Sequence, residues 1–185
     1  MALRGDVTAA VLNRSGSLGP AAGKLSRGDL PLLAVRQATA RAAADALIRL
    51  DAGLYRTFNM VLADRTGAWF VRGLGQGRPE AWMLPPGLHV VTAYDPDDPA
   101  SERMQAHRPR FEAAVVPDPA VGDWSAWQAL LSDRTGERMA AINVPPLDGF
   151  GTVCSSLLGL PVDGVPVWLF AAGPPDEAPF RHVPL

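Results

Sequence analysis

Residues 58–72 carry the strongest structural signal in the chain, because two runs of strand-forming residues meet at a turn sequence. Phe58 to Ala63 and Ala68 to Arg72 flank Asp64-Arg65-Thr66-Gly67, where the glycine can supply the positive φ that such turns commonly need. Strands joined by so short a turn must run antiparallel. The segment predicts a β-hairpin. The same tetrapeptide recurs at 133–136 between unrelated flanking residues, which indicates turn chemistry rather than a repeat.

Other segments also have the apolar pattern and flanking turn residues of strands. Val7 to Asn13 is a short apolar run between Asp6 and a glycine-rich loop, which predicts a buried inner strand. Two further hairpins are predicted around proline- or glycine-containing turns. Their strands are Ala81 to Leu84 with Leu88 to Ala93, and Thr152 to Leu160 with Val165 to Ala171.

Four segments have helical spacing. The first follows Ser26-Arg27-Gly28-Asp29, which resembles a capping box, and the fourth has Asp123 as its predicted N-cap. The apolar stripe of the fourth, Trp124, Trp127, Leu130 and Leu131, predicts a core face. The remaining helices are predicted at about Thr39 to Leu50 and at Ser101 to Ala114. Helices and antiparallel strands in separate runs predict an α+β fold, which we interpret as a single domain over residues 1–185 with an irregular, proline-rich C-terminal tail.

Composition excludes several classes of protein. Of the 185 residues 48% are hydrophobic and 19% charged, which is typical of a globular chain. The 17 basic and 19 acidic residues nearly balance, so nucleic acid is not a predicted partner. No apolar run approaches the roughly 20 residues of a membrane-spanning helix. The single cysteine, Cys154, excludes an internal disulfide and favours a reducing compartment, with the cytoplasm as the default location.

Cofactor motifs fail on inspection. Residues 16–26, GSLGPAAGKLS, lack the first glycine of a phosphate-binding P-loop and the hydroxyl residue after Lys24. The three histidines, His89, His107 and His182, are too dispersed for a helix-borne metal site, so no metal is predicted. Asp95, Asp97 and Asp98 are interrupted by prolines, which indicates a solvated turn rather than a calcium loop.

Two side chains remain as candidates for chemistry. Cys154 lies in an apolar segment with no histidine or cation nearby in sequence, and we interpret it as a buried structural thiol. Asn13 ends a predicted strand at the glycine-rich loop, where a side-chain amide could point into a cavity and donate to an oxyanion. A loop-capping asparagine is the alternative.

Four strings together resemble one protein family over nearly the whole chain. Residues 7–35, VTAAVLNRSGSLGPAAGKLSRGDLPLLAV, resemble the bacterial members of the NRDE family, which are relatives of transport and Golgi organization protein 2. The likeness continues in order through FNMVLADRTGAWF, LPPGLHVVTAYDPDDP and NVPPLDGFGTVCSSLLGLP. It implies an N-terminal-nucleophile hydrolase-like αββα sandwich, in which two antiparallel sheets pack between helical layers.

The resemblance also implies features that this chain lacks. Family members begin Met-Cys and carry an Asn-Arg-Asp-Glu motif, whereas Ala2 follows Met1 here and the motif does not occur. We therefore interpret the chain as a C-terminal fragment of such a domain, N-terminally incomplete and inactive without its nucleophile. By the resemblance, Asn13 is the retained catalytic candidate, as a possible oxyanion donor.

Two functional hypotheses follow from the resemblance, and an α+β domain with no retained activity is the third alternative. The first is a cysteine-dependent amide hydrolase, and the second is a non-enzymatic haem- or lipid-handling protein like the eukaryotic relatives. No cofactor is predicted from the residues themselves, so haem enters only by family analogy. The expected partner is an unidentified small molecule. Self-association through the exposed strand edge of Val7 to Asn13 is also expected.

Overall fold

A computed structural model describes residues 1–138 and 140–185, which form two compact units, Met1–Ala100 and Ser101–Leu185. Both units combine helices with antiparallel strands, so the predicted α+β class is confirmed. The interpretation of residues 1–185 as a single domain stays a prediction. Among the described residues, no helix has the length and hydropathy needed to cross a membrane.

The first unit is built on a five-stranded antiparallel sheet whose strands follow one another in chain order. Its strands are β1 Ala2–Arg4, β2 Val7–Asn13, β3 Phe58–Asp64, β4 Gly67–Gly73 and β5 Glu80–Leu84. The hairpin predicted at residues 58–72 is confirmed, and its last backbone pair is Asp64 with Gly67. The prediction that β2 is an inner strand is confirmed, because β3 pairs with it along Thr8–Asn13 and β1 pairs with Val7–Ala9 on the other side. The exposed edge expected along Val7 to Asn13 is wrong for Val7–Ala9, which β1 covers.

One face of this sheet packs on two short helices, α1 Asp29–Ala34 and α2 Ala40–Leu47, which precede a 3₁₀ turn at Ala52–Leu54. Alternate residues of a strand face the same side, so Phe58, Met60 and Leu62 all reach the helices and are fully buried. Burying each such side chain contributes about 1.5–3 kcal/mol. The predicted cap of α1 is wrong in detail: Gly28 precedes the helix, and the Ser26 hydroxyl accepts only from the Gly28 N–H.

The predicted strand at Leu88 to Ala93 is wrong, because this stretch is irregular. Its backbone groups bond to side chains and to a loop instead of to a neighbouring strand. The Val90 N–H donates to Asp97 Oδ1 at 2.9 Å, and the Ala93 carbonyl accepts from the Ser15 N–H at 3.1 Å. Asp97 is therefore an organising residue of this segment, not part of a purely solvated turn.

The second unit has two helices and a three-stranded antiparallel sheet. Its elements are α3 Glu102–Ala113, α4 Ser125–Leu131, β6 Ser155–Gly159, β7 Val167–Ala171 and β8 Arg181–His182. The strand order is β6-β7-β8, so the predicted third hairpin is confirmed. The proline-rich tail was expected to be irregular, but Arg181 and His182 pair with β7.

The core of the second unit lies between α4 and the β6–β7 hairpin. Trp124 is buried with Leu157 and Leu169, and Trp127 and Leu131 pack against them, which confirms the predicted apolar stripe except for Leu130, which is outside this cluster. The helix begins one residue later than predicted.

Trp124, not Asp123, immediately precedes α4, while Asp123 Oδ1 accepts from the Ser125 N–H at 3.0 Å. A short Asx turn therefore stands where an N-cap was expected.

The interpretation of Cys154 as a buried thiol is wrong. Cys154 is exposed and lies immediately before β6, which begins at Ser155. In the β6–β7 hairpin the buried positions are Leu157, Gly159, Leu169 and Ala171. The apolar composition of the segment thus describes β6 and not the residue before it.

Candidate functional site

The predicted site residue Asn13 is the last residue of β2 and lines an open cavity of about 420 Å³ in the first unit. Val11 lines the same cavity, because residues two apart on a strand share a face of the sheet. The rest of the wall comes from the glycine-rich loop after β2, the segment Lys24–Gly28 that leads into α1, and Arg56. Gly16 and Gly19 have φ values of +73° and +74°, which allow this loop to fold back along the strand end.

Two arginine side chains hold the loop in place. Arg27 Nη1 donates to the carbonyl oxygens of Ser17 at 2.8 Å and Thr57 at 2.9 Å. Arg56 donates to the carbonyl oxygens of Leu18 and, at 3.0 Å, of Gly16. Backbone carbonyls thus satisfy part of each guanidinium, and the loop gains an internal frame although it has no regular structure.

The cavity wall is positively charged. Lys24, Arg27 and Arg56 all line it, and no aspartate or glutamate is among the described residues of its wall. Within the described part of the chain, none of the three cations forms an ion pair with a carboxylate. Burial, and then the nearby charge of Arg56, lower the pKa of the Arg27 guanidinium from its ordinary value. An arginine still remains protonated at neutral pH.

The Asn13 side chain is exposed and has no hydrogen-bond partner among residues 1–138 and 140–185. Both amide N–H groups are therefore available to a ligand or to solvent. Asn13 sits opposite the fully buried Phe58 in the β2–β3 register, so its backbone is held while its side chain reaches the cavity. This placement is what an amide donor needs.

A polar cluster anchors the residue that follows Asn13. Arg14 Nη1 donates to Asn59 Oδ1 at 2.5 Å and to Asp95 Oδ1 at 2.6 Å. Asn59 is fully buried, and its Nδ2 donates to the carbonyl oxygens of Thr92 at 3.0 Å and Tyr94 at 2.5 Å. Asn59 is thus satisfied on both sides, which is the condition for keeping an amide in a core.

Arg72 extends this cluster across the sheet. Arg72 is in β4, directly opposite Asn59 of β3 on one side and Glu80 of β5 on the other, and it bonds to both Asp95 and Glu80. The hydrogen bond with Glu80 is the main cause that raises the pKa of Arg72 above its ordinary value. Asp95 is therefore an ion-pair partner, not the solvated turn residue that was predicted.

Sequence reasoning missed Arg14, Arg27, Arg56, Asn59 and Arg72. The sequence held only a weak signal for these residues. It consisted of polar residues at facing positions of two apolar strands, and of cations near an irregular loop whose backbone carbonyls have no partner in a helix or strand. The contacts of Arg27 with Ser17 and of Arg56 with Leu18 depend on how the loop folds back. Spacing along the chain does not show that.

The other candidate residues stay apart from the cavity. His89 Nδ1 lies 2.6 Å from Asp97 Oδ2, and its Nε2 lies 2.8 Å from the Pro85 carbonyl oxygen. His107 is buried in α3 of the second unit, where burial is the first cause that lowers its pKa. Within the described residues, no three acidic, histidine or cysteine side chains are grouped as metal ligands would be. No protein-family model matches the chain, and no curated protein matches it either.

Proposed function

We propose that the first unit binds a small amide-containing molecule in the Asn13 cavity, as the substrate-binding part of an N-terminal-nucleophile hydrolase-like amidase of the NRDE family. The observation that carries the proposal is the side chain of Asn13, which lines a cavity of about 420 Å³ with both amide N–H groups unpaired among the described residues. Cavities of roughly this size hold small molecules.

The role proposed for Asn13 follows from the chemistry of amide hydrolysis. Attack on an amide carbon moves negative charge onto the carbonyl oxygen, and a fixed N–H donor stabilises that charge more than it stabilises the substrate. Removal of one such donor typically lowers kcat by about 10²–10³-fold. Arg14 and Asn59 fix the strand end from the next residue, which limits the motion of the donor.

The nucleophile that would attack the amide is not part of the proposed role of Asn13. By the family resemblance it would be a cysteine that follows the first methionine of the family's sequences, and in this sequence Met1 is followed by Ala2. Cys154 is the single cysteine, and it follows Val153 rather than a methionine. We therefore expect the 185-residue chain to bind amides without hydrolysing them.

The test is a titration of the chain with the neutral amide N-acetylglycinamide, followed by amide-proton NMR. We expect saturable shifts around residues 11–13 and 24–28, and at least a fivefold loss of affinity in Asn13→Ala. The matched control is Gln76→Ala, an exposed loop amide of the same unit. Equal binding by wild type and Asn13→Ala would exclude the proposed donor role.

The haem-handling alternative does not fit the cavity residues. The side chains that commonly ligate haem iron are histidine, cysteine, methionine and tyrosine. None of the described residues of the cavity wall is of these types. A lipid-handling role has no observation in its favour, since the wall of the cavity is charged. We therefore propose amide binding ahead of both.

A further inference from the structure

We propose that the Asn13 cavity recognises an oxyanion, so that its ligand is a small molecule carrying a carboxylate or phosphate group. For the amide part of the ligand the proposal rests on the function proposed above. The anionic part rests on separate residues, Lys24, Arg27 and Arg56, and stands without Asn13.

The three cations are unusual in having carbonyl oxygens rather than carboxylates as partners. Lys24 Nζ donates to the Gly53 carbonyl oxygen, and the two guanidinium groups donate to carbonyls of residues 16–20 and 57. A carbonyl oxygen satisfies a donor but does not neutralise its charge. The positive charge of the wall is therefore left for a ligand to neutralise.

The same hydrogen bonds hold the three cationic side chains in fixed positions and leave some of their N–H donors unused. A guanidinium has five N–H donors and an ammonium has three. The bonds of Arg27 and Arg56 leave from Nη1 and Nη2, and neither Nε has a partner among the described residues. A ligand then meets donors that are already ordered, which lowers the entropy cost of binding.

Electrostatics favours an anion over a neutral ligand in this cavity. Arg27 and Arg56 both donate to the Gly19 carbonyl oxygen, each at 3.4 Å, so their like charges lie close together and repel. An oxyanion between Arg27 and Arg56 would replace repulsion by attraction and by charge-assisted hydrogen bonds. Asn13 can add a neutral donor to an amide carbonyl of the same ligand, adjacent to the anionic group.

The volume of the cavity favours a whole small molecule over a bare ion. A volume of about 420 Å³ far exceeds one carboxylate or phosphate, and Val11, Pro20 and Leu25 supply apolar wall beside the cations. N-acylated amino acids combine an anionic group, an amide and an apolar acyl part. They are the carboxylate class that fits this wall, and an organic phosphate is the other source of the same oxyanion chemistry.

Lys24 is the only lysine of the chain, and it provides a selective probe. Reductive methylation with ¹³C-formaldehyde keeps the positive charge and gives one side-chain signal besides that of the terminal amine. We would titrate the methylated full chain with N-acetylglycine, its neutral counterpart N-acetylglycinamide, and inorganic phosphate.

We expect a saturable shift of the Lys24 methyl signal with N-acetylglycine, at least fivefold tighter than with N-acetylglycinamide. The affinity should fall as salt is raised, because the ligand charge is screened. A stronger response to phosphate than to N-acetylglycine would identify an organic phosphate as the source of the oxyanion. Equal, salt-independent affinity for the charged and neutral amides, or no response to either anion, would overturn the proposal.

Substitutions distinguish the oxyanion proposal from the amide-binding proposal. Arg56→Gln should weaken binding of both anions at least fivefold, whereas Arg36→Gln, which changes an exposed arginine outside the cavity, should not. Because Arg56 also holds the loop, Lys24→Gln, with its single carbonyl bond, is the second test. This variant lacks the methyl probe, so its binding is followed by amide-proton NMR, and it should weaken both anions at least twofold. If neither variant weakens anion binding, the proposal fails.

Asn13→Ala should leave phosphate binding intact while it weakens the neutral amide. If anions bind and the amide does not, the oxyanion proposal stands and the amidase proposal fails. The reverse result would remove the oxyanion proposal alone.

Discussion

The tetrapeptide Asp-Arg-Thr-Gly occurs in both units, and the two copies share their local geometry. In the first unit, Asp64 Oδ1 accepts from the Thr66 N–H at 2.8 Å. In the second unit, Asp133 Oδ1 accepts from the Thr135 N–H at 2.7 Å. Both are Asx turns, in which a short carboxylate bonds the backbone two residues on. Identical residues thus form the same Asx hydrogen bond in unrelated surroundings.

The two copies differ in what the second carboxylate oxygen contacts. Asp64 Oδ2 accepts from the Ala40 N–H at 2.7 Å, which satisfies the first residue of α2. Asp133 Oδ2 forms an ion pair with Arg110 of α3. The aspartate of one motif therefore caps a helix in the first unit and anchors an ion pair in the second. Which of the two it does depends on the element that packs beside it.

The largest effect is expected from Asp64→Ala. It removes the Asx turn and leaves the Ala40 N–H without its carboxylate partner, so the free energy of unfolding should fall by about 2 kcal/mol. Urea denaturation measures the loss, and hydrogen exchange of α2 amides locates it. Asp6→Ala, which removes only an exposed partner of Arg65, is the control and should cost much less. A loss no greater than that of Asp6→Ala would show that Asp64 does not act as a cap.

Substituting the glycine of each copy separates local strain from packing. Gly67→Ala and Gly136→Ala both place a side chain at positive φ, +154° and +91° respectively. At Gly67 a Cβ would also come within 2.6 Å of the Met83 Cε, whereas at Gly136 it would meet no atom within 4 Å from the described residues beyond its chain neighbours. We expect a loss of about 1 kcal/mol for Gly136→Ala and somewhat more for Gly67→Ala. Thermal denaturation of both variants would show whether the order is reversed.

The charge of the second copy should make stability depend on pH. Hydrogen bonds from the Thr135 backbone and side chain, with the Arg110 guanidinium, lower the pKa of Asp133 to about 2. An unfolded aspartate has a pKa of about 3.9, so Asp133 stabilises the fold above about pH 4 and loses that contribution as the pH falls toward about 2.

Asp133→Asn keeps the acceptor but removes the charge. It should therefore cost about 1 kcal/mol at pH 7 and progressively less below about pH 4. Urea titrations at several pH values measure this difference. A cost that stays constant from pH 7 to pH 2 would contradict the assigned role of the carboxylate charge.

The arginines of the two copies should give the smallest effects. Arg65 pairs with Asp6 at 2.9 Å, while Arg134 pairs with Asp176 at 2.7 Å and Glu177 at 2.6 Å. Exposed ion pairs contribute little, so Arg65→Gln and Arg134→Gln should each cost under about 1 kcal/mol, with Arg134→Gln the larger. Repeating the denaturation in high salt should shrink both costs. A larger cost for Arg65→Gln would reverse the order inferred from the pairs.

The elements predicted from sequence were those with a local cause. The hairpin at 58–72 needs only alternating strand residues and a turn, and the structure confirms it. The strand predicted at Leu88 to Ala93 has similar residues, but Asp97 and Asn59 bond its backbone groups, and it stays irregular. Asn59 and Asp97 reach this segment from a different strand and a turn, so the pattern of residues 88–93 alone could not exclude a strand.

The candidate site was likewise predicted only where its cause is local in sequence. Asn13 was predicted as a strand end at a glycine-rich loop, and it does line a cavity. The positive wall was not predicted, because Arg56 is distant in sequence from the loop carbonyls to which it donates. Cys154 shows the opposite error, since an apolar neighbourhood in sequence did not lead to burial in space.

By itself the sequence determined the Asx turns at Asp64 and Asp133, the strand that ends at Asn13, and the hairpins whose pairing needs only neighbours along the chain. Only the tertiary structure decided that Asp64 caps α2, that Asp133 faces Arg110, and that Lys24, Arg27 and Arg56 surround one cavity. The physical reason is how far apart in sequence the interacting groups lie. A turn closes within a few residues, whereas the partner of a free carboxylate oxygen or guanidinium is whichever group the folded core brings within about 3 Å.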